Sequence, residues 1–397
     1  MNIGVVVDNE FYNDIRVNNE CNIISTKHNL SILCYDFGSS EKKDSPYFIT
    51  KIPIKQKYAN IMFAVMNTVD YFSIFWAKHI KNFIQKNNID ILHVHDLYMS
   101  KSAHIATKGL NVKIVLDLHE NYPSTVEDFV WMNKLPNKLI TQPNKWKLKE
   151  EKFLNYADKI IVLSEWFKNY LNNKYPTLNK SKFEIFPNVP NISEMLSFNI
   201  DENILDKSPD DFILFYFGVI SKRRGLFIVF ESLKKLIKKH PRIKLLLIGP
   251  IDKNERTDFL QIINSDELKN NIIYYEWKDI KLLPSYIKAS DICLSPIEKN
   301  DQHESGIANK VFQYMLLEKP VLVSNCKPQA DLVNNEKAGL SHIWDNVNDF
   351  TEKVEELFNN PKLRVEMGIN GRKAIIEKYS TQKLGENILK SYENFNS

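Results

Sequence analysis

The chain has 397 residues, which suits two domains, because a single hydrophobic core stops growing near about 250–300 residues. With 43% hydrophobic and 26% charged residues it falls outside the disordered and fibrous classes, and a net charge of +4 argues against a dedicated nucleic-acid binder. Four scattered cysteines, Cys21, Cys34, Cys293 and Cys326, form no C-x-x-C pair; this argues against a zinc-thiolate site or a disulfide framework and fits a reducing compartment.

The chain enters directly into the apolar run Ile3–Val7, which reads as a strand and not as a signal peptide. Similar short runs follow at Ser31–Tyr35, Ile91–Val94, Lys113–Leu118, Lys159–Ser164 and Phe183–Phe186, the pattern of strands covered on both faces. Between the second and third lies Ile61–Ile80, apolar enough to suggest a membrane span. Its centre carries Asn67, Thr68, Asp70 and Ser73, and a central Asp costs about 2.5–3.5 kcal/mol on insertion scales, so a buried or amphipathic helix is expected instead. The third strand runs into His93-Val94-His95-Asp96-Leu97, and the fourth into Asp117-Leu118-His119-Glu120-Asn121-Tyr122-Pro123. Two such strand ends would bring imidazoles and carboxylates to one rim, His119 hydrogen-bonding a substrate hydroxyl and His95 with Asp96 touching an acceptor. The plainer alternative is that they only cap strand ends.

From Lys134 to Lys182 there are eleven lysines and four acids. That excess would attract an anionic membrane surface or a phosphorylated acceptor, unless it is simply a solvated helical face. Trp131, Trp146 and Trp166 accompany it, as interfacial anchors or as core residues. Pro187-Asn188-Val189-Pro190 and the polar stretch 199–211 then read as a linker.

Six further runs follow: Phe212–Gly218, Lys244–Gly249, Ile272–Trp277, Ile292–Pro296, Pro320–Ser324 and Leu340–Trp344, with helical segments such as Leu226–Lys239 and Pro284–Ala289 between them. Alternating strands and helices predict an α/β chain with a doubly wound parallel sheet built twice, six strands in each half. After the first of these strands come Ser221-Lys222-Arg223-Arg224-Gly225-Leu226, a basic loop feeding a helix. Such a loop describes a diphosphate site, or else a solvated basic turn. Between the fourth and fifth lies His303-Glu304-Ser305-Gly306-Ile307-Ala308-Asn309-Lys310-Val311-Phe312-Gln313-Tyr314-Met315. Amides at Ser305, Gly306 and Ile307 would face a phosphate, with Lys310 adding charge, Gln313 one turn further on and Glu304 holding sugar hydroxyls; the alternative is an acid that merely stabilises a helix. Beyond Trp344 the pattern is helical through 351–358, 361–379 and 381–395.

Eleven glycines include no G-x-G pair, and there is no P-loop, D-x-D or G-x-S-x-G. Anions would therefore be neutralised by backbone amides and basic side chains.

In sequence order, these stretches resemble the GT4-like group of GT-B glycosyltransferases over nearly the whole chain. Asn13-Asp14-Ile15-Arg16-Val17 with Asn19-Glu20 is similar to the family's first loop and helix; His95-Asp96-Leu97 and Leu118-His119-Glu120 to its N-domain signature; Ile185–Pro190 to the interdomain crossing; Ala289–Pro296 to the strand before the donor loop; and 306–315 with Lys319-Pro320-Val321 to the donor-binding helix and strand. The resemblance implies two Rossmann-like domains facing across a cleft. Residues 1–190 would bind the acceptor and 191–380 the donor, and the helix 381–397 would pack back on the first domain. It implies transfer of a sugar, with retention, from a nucleoside-diphosphate sugar (expected as a UDP- or GDP-sugar) to a glycan or lipid-linked acceptor, with no metal or other cofactor. His119, Glu304 and Arg224 are the implied catalytic residues. Lys222, Arg223, Ser305, Gly306, Ile307, Lys310, Gln313 and Trp277 would contact the donor, and Asp14, Arg16, His95, Asp96 and Glu120 the acceptor. A cytoplasmic protein in surface polysaccharide or glycoconjugate biosynthesis is expected, with peripheral contact to the inner face of an anionic membrane as an option. Val219 stands where the family often has Arg, and Gln313 where it has a ribose-holding Glu. Those departures keep two rivals open: a nucleotide-sugar epimerase or phosphorylase on the same architecture, and a silent subunit that binds a nucleotide sugar or a partner transferase.

Overall fold

The computed structural model describes residues 1–38, 45–128, 135 and 137–395. They form two compact units, 1–187 with 384–397, and 188–383.

The first unit is built on a parallel sheet in the order β3-β2-β1-β4-β5-β6-β7, with β1 (Asn2–Val7), β2 (Asn29–Asp36), β3 (Phe48–Pro53), β4 (Ile91–His95), β5 (Lys113–Asp117), β6 (Lys159–Val162) and β7 (Phe183–Ile185). The second sheet, also parallel, runs β10-β9-β8-β11-β12-β13, with β8 (Phe212–Phe217), β9 (Ile243–Ile248), β10 (Ile272–Tyr275), β11 (Ile292–Ser295), β12 (Val321–Ser324) and β13 (Gly339–His342). Every strand read from an apolar run is present. The first half, however, holds seven strands instead of six. The extra one, β3, is an edge strand with mostly open side chains, so its sequence Phe-Ile-Thr-Lys-Ile-Pro lacks the continuous apolar run of a covered strand.

The stretch 61–80 is not one helix. Helix Gln56–Val65 ends there, and Tyr71–Asn87 starts afresh with Asp70 as its N-cap, the carboxylate accepting the Ser73 amide. The residue that argues against a membrane span thus breaks the stretch in two, because a capping Asp satisfies amides that would otherwise be orphaned. Among the described residues, no helix is long and apolar enough to cross a membrane. Of the tryptophans beside the lysine-rich stretch, Trp146 is buried and Trp166 is half-buried and stacked on Tyr170, whereas Trp131 and Lys134 lie outside the described residues.

Helix Leu226–Lys239 buries Leu226, Val229, Phe230, Leu233 and Leu236, spaced along one face, beside Phe212, Leu214 and Tyr216 of β8. Helix Thr381–Glu393 seats Ile388, Leu389 and Tyr392 among Ile3, Ile24, Ile91 and Phe186 of the first unit. Each such side chain contributes about 1.5–3 kcal/mol by leaving water. In each sheet the strand order reverses once, at β1/β4 and at β8/β11. Open parallel sheets bind ligands outside the carboxyl ends of strands at such a switch point, and the candidate residues gather at these two rims.

Candidate functional site

At the β4/β5 rim the structure builds a buried polar network. Asp117, fully buried at the end of β5, accepts two hydrogen bonds from Arg16, at 2.8 Å from Nε and 2.7 Å from Nη2. The same carboxylate lies 3.0 Å from His119 Nε2 and 3.3 Å from His95 Nδ1, and the two imidazoles meet at 3.0 Å. Arg16 also donates to the Phe186 carbonyl at 3.0 Å and pairs with Glu20 at 3.1 Å, one helical turn away. His93 Nε2 lies 3.5 Å from Glu20, and its Nδ1 meets the Tyr392 hydroxyl of the last helix at 2.6 Å.

Of the side chains read from the sequence as acceptor contacts, Arg16 and His95 are therefore committed to the interior, while Asp14 is partly open and tied to a helix end. Arg16 supports Asp117 and Phe186, His95 is buried against Asp117, and Asp14 caps helix Ile15–Ile24 by accepting the Val17 amide at 3.0 Å. Glu20, His93, His95 and Asp117 bring potential metal-ligand atoms within 4.8 Å of one another. Arg16 already supplies the cation to both carboxylates, so a metal ion would have to displace a guanidinium.

Three groups stay partly open at this rim: Asp8, Asp96 and His119, with Glu120 beside them. The Tyr98 hydroxyl lies 3.2 Å from Asp8 and 3.1 Å from Asp96. Asp96 holds φ +69° with its amide on the Asp117 carbonyl, a strained backbone of the kind that collects at functional sites. Burial pushes Asp8 up to about 6 and Asp96 up to about 7. Burial pushes His119 down, but the carboxylates of Asp96 and Asp117 outweigh it and carry the imidazole up to about 10. Burial likewise opposes ionisation of Asp117, yet Arg16 and His119 hold it well below the usual carboxylate range.

His119 is thus an imidazolium at neutral pH, with one N–H on Asp117. A histidine whose pKa is raised on folding stabilises the fold fully below its unfolded value of about 6.5, and this contribution declines as pH rises towards about 10. His119→Gln should therefore melt below the wild type at pH 6, with the gap narrowing steadily towards pH 10. A gap that is constant or widens with pH in thermal melts would remove the imidazolium assignment.

The second rim is cationic. After β8 the chain passes Gly218 and the 3₁₀ turn Lys222–Arg224 to Gly225, whose φ of +77° starts the helix Leu226–Lys239. A Cβ at Gly225 would fall on the Pro296 carbonyl beyond β11, so only glycine lets the basic turn lie against that strand end. The Glu298 amide donates to the Arg223 carbonyl at 3.0 Å, fixing the turn from the other side, and the Lys222 amide donates to Glu255 at 2.7 Å. Lys310 arrives from helix Asn309–Leu316 with its ammonium 3.9 Å from the centre of the Tyr216 ring; it would crowd any side chain at Gly218, at 3.0 Å from a Cβ there. Burial pushes both Lys310 and Arg224 below their ordinary values, Lys310 well below, and proximity to Arg224 lowers Lys310 further. Among the described residues, neither has an acidic partner within ion-pair distance.

The donor-loop residues divide. Ser305 turns inward, its amide and hydroxyl both donating to the Gln302 carbonyl, so its amide does not face a ligand. The amides of Gly306 and Ile307 make no backbone hydrogen bond among the described residues, and the helix that follows has no side-chain N-cap. Glu304 accepts the Lys327 amide at 3.1 Å and lies 3.9 Å from Lys299. One oxygen therefore steadies the helix Lys327–Asn335. Gln313 is half-buried, and Trp277, just past β10, is 75% exposed. Sequence reading missed Asp8, Tyr98 and Tyr392, and assigned no role of their own to His93 or to the buried His303, whose Nδ1 meets the Glu298 carbonyl at 2.7 Å. One signal was available for His93: two histidines at alternate positions of an otherwise apolar strand share a face, and buried polar groups there demand partners.

Two doubly wound parallel sheets, each with polar groups at its switch point, define the GT-B class of α/β proteins. The fold matches sucrose-phosphate synthase from Thermosynechococcus elongatus, with TM-score 0.76 and 14% identity over 100% of this chain and 99% of that one. It also matches HepE from Anabaena, solved in complex with UDP, with TM-score 0.71 and 12% identity over 99% and 100% of the two chains. In sequence, residues 197–374 match the family "Glycosyl transferases group 1" and residues 25–193 match "Glycosyltransferase Family 4". A capsular polysaccharide biosynthesis glycosyltransferase of Staphylococcus aureus, CapM, is 26% identical over 245 residues, 60% of this chain and 62% of that protein's length. The chain belongs to the GT4-like family of GT-B glycosyltransferases.

Proposed function

We propose that this glycosyltransferase moves a hexosyl group, with retention, from a nucleoside-diphosphate sugar to a glycan or lipid-linked acceptor in surface polysaccharide or glycoconjugate biosynthesis. The observation that carries the reading is the pair Arg224 and Lys310: two largely buried cations at the end of β8, with Arg224 close enough to depress Lys310 and neither balanced by a carboxylate among the described residues. Buried charge without a partner costs several kcal/mol, and a diphosphate is the anion that such a rim, with the Gly306 and Ile307 amides beside it, is built to accept.

Breaking the bond between anomeric carbon and diphosphate oxygen leaves negative charge on that oxygen and positive charge on the sugar. Arg224 and Lys310, fixed before the reaction, stabilise the former without reorganisation, a contribution of about 2.7–4 kcal/mol for one well-placed donor. The acceptor oxygen forms the new bond to the anomeric carbon and gives its proton to the departing diphosphate oxygen. At the other rim Asp96 and Asp8 accept hydrogen bonds from acceptor hydroxyls, and His119 donates one. Trp277, being exposed, offers an aromatic face to the nucleoside base, while Gln313 and the second oxygen of Glu304 offer hydrogen bonds to sugar hydroxyls. UDP or GDP is the expected leaving group; UDP is the ligand in the Anabaena structure of the same fold. No metal is part of the reading.

Incubation with a panel of UDP-, GDP-, ADP-, CMP- and dTDP-sugars should give release of one nucleoside diphosphate, slow alone and faster with a polysaccharide or polyprenyl-linked acceptor. NMR of the product should show the donor's anomeric configuration. Conversion of the sugar without an acceptor would favour an epimerase, and no release from any donor would favour a silent subunit.

A further inference from the structure

Between β11 and helix Asn309–Leu316 the chain makes a largely irregular loop, and one buried side chain closes that loop on itself. His303 is 7% exposed, and its Nδ1 lies 2.7 Å from the carbonyl of Glu298, five positions back. A carbonyl only accepts, so Nδ1 carries the proton and donates it. The backbone of His303 is held as well: its amide donates to the Asn300 side chain at 2.8 Å, and the Glu304 amide donates to the Asn300 carbonyl at 2.9 Å.

Glu298 is thereby held on both sides of its Cα. In the peptide before it, the Ile297 carbonyl accepts the Ser324 hydroxyl at 2.6 Å and the Glu298 amide donates to the Arg223 carbonyl at 3.0 Å. In the peptide after it, the Glu298 carbonyl takes the His303 N–H, with the Cys326 thiol at 3.3 Å as a second, weaker donor. Peptide units are planar, so fixing both leaves Glu298 little freedom in φ or ψ.

The bond to Arg223 carries this constraint into the basic turn. The Arg223 carbonyl and the Arg224 amide belong to one planar peptide, and that amide donates to the Ser221 carbonyl at 3.1 Å. With the carbonyl end held by Glu298 and the amide end by Ser221, the direction in which Arg224 leaves the backbone is set. Burial pushes the His303 imidazole down to about 4, against its bond to Glu298, and Arg224, Arg223 and Lys310 push it the same way. The ring is therefore neutral and brings no charge of its own to the three cations. An apolar side chain of similar size would fill the space and leave the Glu298 carbonyl with the thiol alone.

We propose that His303 is a positioning residue for the diphosphate: through Glu298 it holds the Arg223–Arg224 peptide, so that the Arg224 guanidinium is aimed before the donor arrives. This rests on the reading of the β8 end as a diphosphate site.

Calorimetric titration of UDP and GDP into the full chain tests the proposal without any acceptor. His303→Phe keeps a ring and loses the donor; the nucleotide that binds the wild type should bind this variant about tenfold more weakly. His303→Asn keeps an N–H near the place of Nδ1 and should recover most of that loss. In an Arg224→Ala background, His303→Phe should change the affinity by less than about twofold, because the tie acts through Arg224. Asn300→Ala loosens the His303 backbone without touching the ring. It should cost about threefold, again only with Arg224 present, and it carries the test should His303→Phe not fold.

Wild-type affinity in both His303→Phe and Asn300→Ala, or an equal loss with and without Arg224, overturns the proposal and leaves the diphosphate site standing. A lowered melting temperature with unaltered affinity does the same, by making His303 structural only. Binding of neither nucleotide to the wild type removes the diphosphate site and the proposal together.

Discussion

Arg224→Ala is expected to lower both sugar transfer and donor hydrolysis by about 10²–10³-fold while leaving the melting temperature unchanged or slightly raised. The two halves of this result have one cause. Arg224 is largely buried, with burial and Arg223 both opposing its charge, and among the described residues it has no acidic partner. A cation in that position does little for the fold, and its removal relieves a desolvation cost. Lys310→Met should behave alike, because Met keeps an apolar stem near the Tyr216 ring and loses only the ammonium. The double variant should lose less than the sum of the single losses if both cations act on one diphosphate. Steady-state kinetics and a thermal melt decide this. Unaltered turnover in Arg224→Ala would remove the residue from the chemistry, and a collapse of the fold would give it a structural role instead.

Asp117→Ala should have the opposite profile, a large loss of stability. Asp117 anchors Arg16 and balances His119, and removing one partner of a buried pair costs about 3–5 kcal/mol because the other charge is left unpaired. Arg16→Met should cost a similar amount, and the two together less than their sum. Because Asp117 is held below its usual range, its contribution is present above the unfolded value of about 3.9 and is lost as pH falls through the folded one. The wild type should therefore lose its advantage over Asp117→Ala only in acid. Urea unfolding at neutral and acid pH measures both effects, and a neutral-pH difference below about 1 kcal/mol would contradict the network as drawn.

Much of this molecule was legible in its residues. Covered strands announce themselves as apolar runs, and the basic turn before Leu226 and the Ser305-Gly306 loop stand out because both follow strands. What escaped reading has a physical reason in each case. Strand β3 is an open edge, so its side chains need not be apolar. The role of Arg16 depends on Asp117, 101 positions away in sequence, and the Tyr392–His93 contact joins residues 299 apart. Pattern reading sees faces and periods; it does not see which distant partner fills a buried hydrogen bond. Lys310 was recognisable as a charge near a helix start, but its position by the Tyr216 ring, allowed by the absent side chain of Gly218, follows only from the fold.

Calorimetric titration of UDP and GDP into the wild type and into the Arg224→Ala, Lys310→Met double variant is the most direct measurement. One nucleoside diphosphate should bind the wild type at a single site, weakly at high salt, and bind the double variant at least about a hundredfold more weakly. Equal affinity for both proteins, or no binding of either nucleotide to the wild type, would contradict a diphosphate held at the end of β8.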